Sequence, residues 1–310
     1  MSAAPLVSVV IPAYNAAAFI EKTLDSVRAQ TFTDYEVIVT DDGSADATHA
    51  VVEGYFKKHA VSGRCIRQEN KRIAGARNTG MRAARGAWIA LLDHDDLWKP
   101  RKLELVMAEA ATPPDAVLIG HDIDVVRDGK RLWTSRKGPA TARMYERLLF
   151  GHNAVSPSAA VFRRDKALEI GGFREDAEFN TVEDYDFWMR LSRVGRFRFI
   201  GQALAEYTIV AGGASRKIEY HHENLEKLLR RHFSEYFGEH PGVIGRLLIR
   251  RRLAAVYRSA AGELIESGAP RERQAEYVAR MLKTFPLEPK NAAQALLWVL
   301  GLPRPGGAAK

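Results

Sequence analysis

Residues 87–98 read AWIALLDHDDLW, an apolar run of strand length that ends in three acids, Asp93, Asp95 and Asp96, within four positions. Like charges that close repel one another unless a cation or solvent intervenes, so acids at the end of a buried strand point to a divalent-metal site. The same residues also fit an acidic turn that caps the next helix, because aspartate is favoured at N-caps and Pro100 suits a first helical turn. The stretch alone leaves both open. What precedes it favours the site.

Leu6 to Ile11 is a β-branched run followed by Pro12, and from Asn15 onward Ile20, Leu24 and Val27 recur at helical spacing. Tyr35 to Thr40 repeats the plan: YEVIVT stops at Asp41, Asp42, Gly43 and Ser44, and Asp46 to Phe56 is expected to be helical. Strands separated by helices imply right-handed crossovers and a parallel sheet, in which ligands sit outside the carboxyl ends of the strands. Pro12–Asn15, Asp41–Ser44 and Asp93–Asp96 then share one edge. Neither a glycine-rich dinucleotide fingerprint nor a phosphate-cradling loop follows the first strand, which argues against a nicotinamide dehydrogenase and a P-loop NTPase. Asp41, next to its strand, is expected to accept a hydrogen bond from a base or ribose. Asp42 fits either that role or a turn.

Between Arg64 and Gly86 a short strand leads into a helix expected near Gly75, with Arg72 and Arg77 at its mouth. Arginine beside a helix N-terminus suits a diphosphate. Equally, Arg77 is placed to pair with a sheet-edge acid.

Composition narrows the setting. With 46% hydrophobic and 27% charged residues over 310 positions, a packed soluble core is expected rather than disorder. A single cysteine, Cys65, excludes an intramolecular disulfide and a cysteine-rich zinc site. No apolar segment approaches the roughly 20 residues needed to span a bilayer, and the N-terminus lacks a basic region before its apolar run, so a cytoplasmic location is expected. The net charge of +8 suits anionic partners without choosing among them.

SVVIPAYNAAAFIEKTLDSVRAQTF, YEVIVTDDGSADAT and ENKRIAGARNTGMRAARGAWIALLDHDDLW, in that order and spacing, resemble the successive blocks of family 2 glycosyltransferases, inverting sugar-nucleotide enzymes of GT-A fold. The likeness continues through SPSAAVFRRDKALEIGGFREDAEFNTVEDYDFWMRL and covers roughly residues 5 to 210. It implies a Rossmann-like, mostly parallel sheet flanked by helices. It also implies that Pro12, Tyr14 and Asn15 line a nucleotide site, that Asp41 holds the base, and that Arg72 approaches the diphosphate. Asp93 and Asp95 match the family's DxD, the first near the ribose and the second on Mn2+ or Mg2+. That metal chemistry is independently reasonable, because such cations take carboxylate and phosphate oxygens together. Asp96 is left to orient a water or cap a helix.

In the second half, Glu183, Asp184, Tyr185 and Asp186 precede Phe187, Trp188 and Leu191. Acids at a helix N-terminus have an ordinary dipole reading, worth about 0.3–1 kcal/mol. The resemblance places the family's ED pair here and makes Asp184 the general base, with Glu183 and Trp188 behind it or near the acceptor. His152 and Asn153 are expected on the acceptor side. Thr208 and Val210 stand where many relatives carry an arginine and a metal-binding histidine, so the third metal ligand is open. His121, His152, His221 and His222 are the alternatives, and none is assigned to metal. Gly212 and Gly213 are expected in a mobile loop over the donor.

After Arg216 the periodicity turns helical. The chain is expected to divide into a catalytic domain over 1–215, a helical region over 216–302 and a disordered tail over 303–310. Arg246, Arg250, Arg251, Arg252 and Arg258 interleave with Leu247, Leu248, Ile249, Leu253 and Val256, and AQALLWVLGL follows at 293–302. Such helices serve packing, a homodimer face or an anionic membrane surface. The function expected is transfer of a sugar from a nucleotide-diphosphate donor, UDP-sugar foremost, to a hydroxyl of a glycan or lipid-linked acceptor, with no nucleic-acid partner and with peripheral contact at the inner membrane face in view. A sugar-1-phosphate nucleotidyltransferase or a non-catalytic sugar-nucleotide or glycan-binding module are the competing classes.

Overall fold

The computed structural model describes residues 4–111, 115–209 and 218–301. By internal contacts they form two compact units, one over 1–148 and 153–213, the other over 149–152 and 214–310.

The first unit is built on a nine-stranded sheet in the order β3-β2-β1-β4-β8-β6-β9-β5, with β7 paired to β6. The parallel half consists of β1 (Val7–Ala13), β2 (Tyr35–Asp41), β3 (Gly63–Arg67) and β4 (Trp88–Leu91). Helices α1 (Ile20–Arg28), α2 (Thr48–His59) and α3 (Arg72–Ala83) connect them. Every residue of β1 and β4 is buried, as continuous apolar runs covered on both faces require. Gly80 lets α3 lie close on β1, where an added Cβ would come 2.4 Å from Val10 Cγ1.

β1 runs through Pro12 rather than ending before it, and the ladder explains why. Val7 N donates to Asp34 O and Ala13 O accepts from Asp42 N, so odd-numbered residues face β2. Even-numbered ones face β4, which stops pairing at Val10. Pro12 therefore lacks an N–H only where no partner strand remains.

The other half mixes directions. β8 (Ala160–Arg163) is antiparallel to β4 and to β6 (Ala116–Arg127), β9 (Arg196–Thr208) is parallel to β6, and β5 (Leu97–Trp98) and β7 (Lys130–Ser135) add antiparallel pairs. Helices α4 (Lys102–Ala110), α5 (Met144–Phe150), α6 (Arg164–Glu169) and α7 (Glu183–Leu191) lie between these strands in the chain.

The second unit is helical: α8 (Ile218–Phe237), α9 (Val243–Glu266), α10 (Arg271–Thr284) and α11 (Pro289–Leu300). Arg280 on α10 ties three of its segments, donating to Glu226 on α8 at 2.9 Å while lying 4.5 Å over the Tyr257 ring of α9. No helix among the described residues is long and apolar enough to cross a membrane. The expected tail over 303–310, the loop at Gly212 and Gly213, and Val210 lie outside the described residues.

Candidate active site

The ends of β1, β2 and β4 converge as the parallel sheet dictates. At the end of β1, Tyr14 and Asn15 are exposed while Pro12 is buried. Asn15 adopts φ +49°, donates from its backbone N to Ser44 Oγ (2.9 Å) and accepts from Ala45 N (2.9 Å), which binds the first loop to the second. Asparagine tolerates this left-handed conformation better than most residues. Asp41 is fully buried: Oδ1 accepts from Ser44 N (3.0 Å), and Oδ2 has no hydrogen bond but lies 3.5 Å from Arg67 Nε. Asp42 is a structural turn residue, accepting from Gln68 Nε2 (2.6 Å) and Lys71 N (2.8 Å). Arg72 opens α3, exposed and at φ +61°.

The three acids after β4 diverge. Asp93 turns to Arg77, whose Nη2 lies 2.9 Å from Asp93 Oδ1. Asp96 turns inward: it is 1% exposed and accepts from Ser158 Oγ (2.5 Å) and from Thr208 N (3.0 Å), joining the acidic loop to the end of β9. It caps no helix, since the N-cap of α4 is Arg101. Burial, with Asp93 and Asp95 alongside, pushes the Asp96 carboxyl well above the usual range. Asp95 makes no ion pair and accepts no hydrogen bond from another side chain among the described residues, and burial raises its pKa, opposed by His94 and by its own backbone N–H and reinforced by Asp93.

Asp95 fits a divalent cation on this observation. A part-buried carboxylate without a cationic ion-pair partner, beside a second acid, gains most from a fixed positive charge. No group of three His, Cys, Asp or Glu residues is poised to hold a metal among the described residues. The divergence of Asp93 and Asp96 is the reason, so most oxygens would have to come from a donor diphosphate and water. His121 is buried in β6 with Nδ1 on Asp122 O at 2.7 Å. His222 lies in the helical unit, 3.4 Å from Glu263.

Arg77 is the hub of the site. It is 1% exposed, and besides Asp93 it meets Glu183 Oε1 through Nη1 at 2.8 Å. One buried cation thus spans from the end of β4 to the first residue of α7. Burial raises the Glu183 carboxyl to about 7, with Arg77 pulling the other way and Asp184 adding to the rise. Asp184, the next residue, is less buried and accepts from Asn153 Nδ2 at 3.1 Å.

Trp188 packs behind the acids of α7. Its side chain is fully buried among Phe162, Phe173 and Phe187, because α7 turns its apolar face to the sheet, so it supports the helix that presents Asp184. His152 is exposed and groups with the helical unit. Two residues carry weight that no sequence pattern indicates. Ser158 binds Asp96 and also accepts from Asp93 N (3.1 Å). Lys137 follows the β7 strand, held by Lys137 N to Asp122 Oδ1 (2.7 Å), and burial lowers its pKa against the opposing pull of Asp184 and Asp122.

The mixed sheet with its parallel half and flanking helices has the GT-A architecture. Solved structures agree on the fold: TarS 1-349 of S. aureus in complex with UDP matches with TM-score 0.65 at 19% identity, covering 95% of this chain and 88% of that one. PcManGT, a mannosyltransferase from Pyrobaculum calidifontis in complex with GDP-Man and Mn2+, matches with TM-score 0.59 at 20% identity, covering 97% and 86%. The sequence model described as Glycosyl transferase family 2 matches residues 8–171. AmsB, the amylovoran biosynthesis glycosyltransferase of Erwinia amylovora, is 33% identical over 66% of this chain and 69% of its own length. The chain belongs to glycosyltransferase family 2. Chondroitin synthase of Escherichia coli is 30% identical over 74% of the chain, and the uncharacterized protein y4gI of Sinorhizobium fredii 33% over 78%. The matched stretch spans only 33% and 27% of those two proteins.

Proposed function

We propose that the enzyme transfers a sugar, with inversion, from a nucleoside diphosphate donor to a hydroxyl of a glycan or lipid-linked acceptor, and that UDP-sugar is the donor. The observation that carries this is the Arg77 bridge, which holds Asp93 at the end of β4 and Glu183 beside Asp184 through one buried guanidinium. Donor-side and acceptor-side acids are thereby fixed relative to each other. TarS bound to UDP and to UDP-GlcNAc supports the choice of base, and PcManGT with GDP-Man keeps a guanine donor in the comparison.

In this reading Tyr14 and Asn15 form the rim of the nucleotide site over Pro12, Asp41 accepts from the base, Asp93 lies by the ribose and Arg72 meets the diphosphate. Mn2+ or Mg2+ at Asp95 would neutralise charge on the departing diphosphate. Asp184 accepts the proton of the acceptor hydroxyl as that oxygen attacks the anomeric carbon and the bond to the diphosphate oxygen breaks. Asn153 steers the carboxylate by holding Oδ2, and the desolvated Glu183 keeps the N-terminus of α7 anchored to Arg77. A single displacement inverts the anomeric centre.

Asp184→Asn tests the assignment, because it keeps the side chain's size and one acceptor oxygen while removing the base. Transfer should fall about 10²- to 10⁴-fold with melting temperature and UDP binding retained. Transfer within a few-fold of the unmutated enzyme removes Asp184 from the role.

A further inference from the structure

The helical unit carries a surface that the transfer reaction does not use. α9 opens with Val243, Ile244 and Leu247, exposed by 74%, 75% and 52%, and Leu287 in the turn between α10 and α11 is 83% exposed. At 100° per residue, Arg246, Arg250, Val243, Leu247, Arg251 and Ile244 fall consecutively around one arc of about 160°. All six are exposed, while Gly245 and Arg252 on the opposite side are buried. Leu287 joins this arc, since Arg250 Nε donates to Thr284 O at 2.8 Å and Arg251 Nε meets Glu288 at 3.0 Å.

The sequence pattern of five arginines therefore separates into two functions. Arg252 is 8% exposed with Nε on Leu149 O, and Arg258 donates to Asn291 Oδ1, so both serve packing within the helical unit. Arg246, Arg250 and Arg251 surround apolar side chains that no described residue of the unit covers. We propose that this arc is a peripheral docking surface for an anionic lipid bilayer, with Val243, Ile244, Leu247 and Leu287 entering the headgroup boundary and the three arginines meeting lipid phosphates. A bilayer is chosen over a protein partner on charge: Arg246 and Arg250 stand at one side of the apolar residues and Arg251 among them, and Glu288 beside the arc is already paired to Arg251. The other exposed apolar stripe, Leu296, Val299 and Leu300 on α11, has no interleaved cation and offers no such complementarity.

Attachment would concentrate the enzyme in two dimensions with a lipid-linked acceptor, but the surface stands independently of the transfer reading. Co-sedimentation of the full chain with vesicles tests it, comparing phosphatidylcholine alone with an equal mixture of phosphatidylcholine and phosphatidylglycerol. Binding should require the anionic lipid and weaken at high salt. Arg246→Glu should lower partitioning by at least about fivefold, the effect of one basic residue at such a surface. Ile244→Asn with Leu247→Asn should abolish it, and Leu287→Asn, in a turn, gives an independent variant if the helix pair fails to fold. UDP-sugar hydrolysis in solution should be unchanged in all of them, which separates loss of docking from loss of the enzyme. Equal binding to both vesicle types, or unaltered binding by folded variants, overturns the proposal. So does a self-associated species in sedimentation velocity that the same substitutions dissociate while the vesicles pellet no protein, which would make the arc a contact between copies of this chain.

Discussion

Replacing Glu183 by glutamine probes the electrostatics on which the site is built. One guanidinium, Arg77, serves two carboxylates, and Asp184 adds a further acid beside them. The Glu183 side chain is 6% exposed and that of Asp93 24%, so Glu183 carries the greater desolvation and its pKa rises to about 7. An acid whose folded pKa exceeds its unfolded value of 4.5 binds its proton more tightly when folded. Its contribution to stability is therefore complete below pH 4.5 and is lost as the pH climbs to about 7. That interval corresponds to about 3 kcal/mol. Glutamine keeps an oxygen for Arg77 Nη1 and never titrates. In chelator-treated buffer, the unfolding free energy of Glu183→Gln relative to the unmutated protein should thus rise by about 3 kcal/mol between acid and mildly alkaline pH. For a unit of this size that is roughly 6–12 °C in Tm, measurable by circular dichroism melts across the range. Parallel pH–stability curves for the two proteins would refute the reasoning, since they would mean that Glu183 titrates alike in the folded and the unfolded chain.

Other outcomes follow from single side chains. Asp95→Ala should weaken UDP binding in the presence of Mn2+, seen by calorimetry, and chelation should do the same to the unmutated enzyme; full transfer in excess chelator would discard the metal at Asp95. Lys102 is fully buried over the Trp98 ring, its Nζ has no hydrogen-bond partner, and burial holds its pKa well below the ordinary value. A base with a depressed folded pKa costs stability at every pH below its unfolded value, so Lys102→Met should leave Tm at neutral pH equal or higher; a loss beyond about 1 kcal/mol would show that the amine has a partner worth a hydrogen bond.

What the sequence determined by itself was local and periodic. The apolar runs of β1, β2 and β4 and the helical spacings between them dictated a parallel sheet, and each run stopped at the residues that now stand on one edge. Pro12 extended the strand instead of ending it only because its neighbour β4 had already stopped pairing, which is a property of the ladder and not of proline. Tertiary structure alone decided which acids are available. Asp93, Asp95 and Asp96 look equivalent in DHDD, yet their carboxyls part because Arg77, Ser158 and Thr208 reach them from elsewhere: Ser158 is 65 positions from Asp93, and Thr208 is 112 from Asp96. The bridge between Arg77 and Glu183 spans 106 positions. Trp188 and Arg252 were likewise open to either reading in a one-dimensional pattern, and only the folded chain shows that both side chains are buried. Periodicity states which face of an element is apolar, whereas the direction of a charged group is set by the nearest oppositely charged or hydrogen-bonding group once the chain has folded, and nearness in space is not written in local spacing.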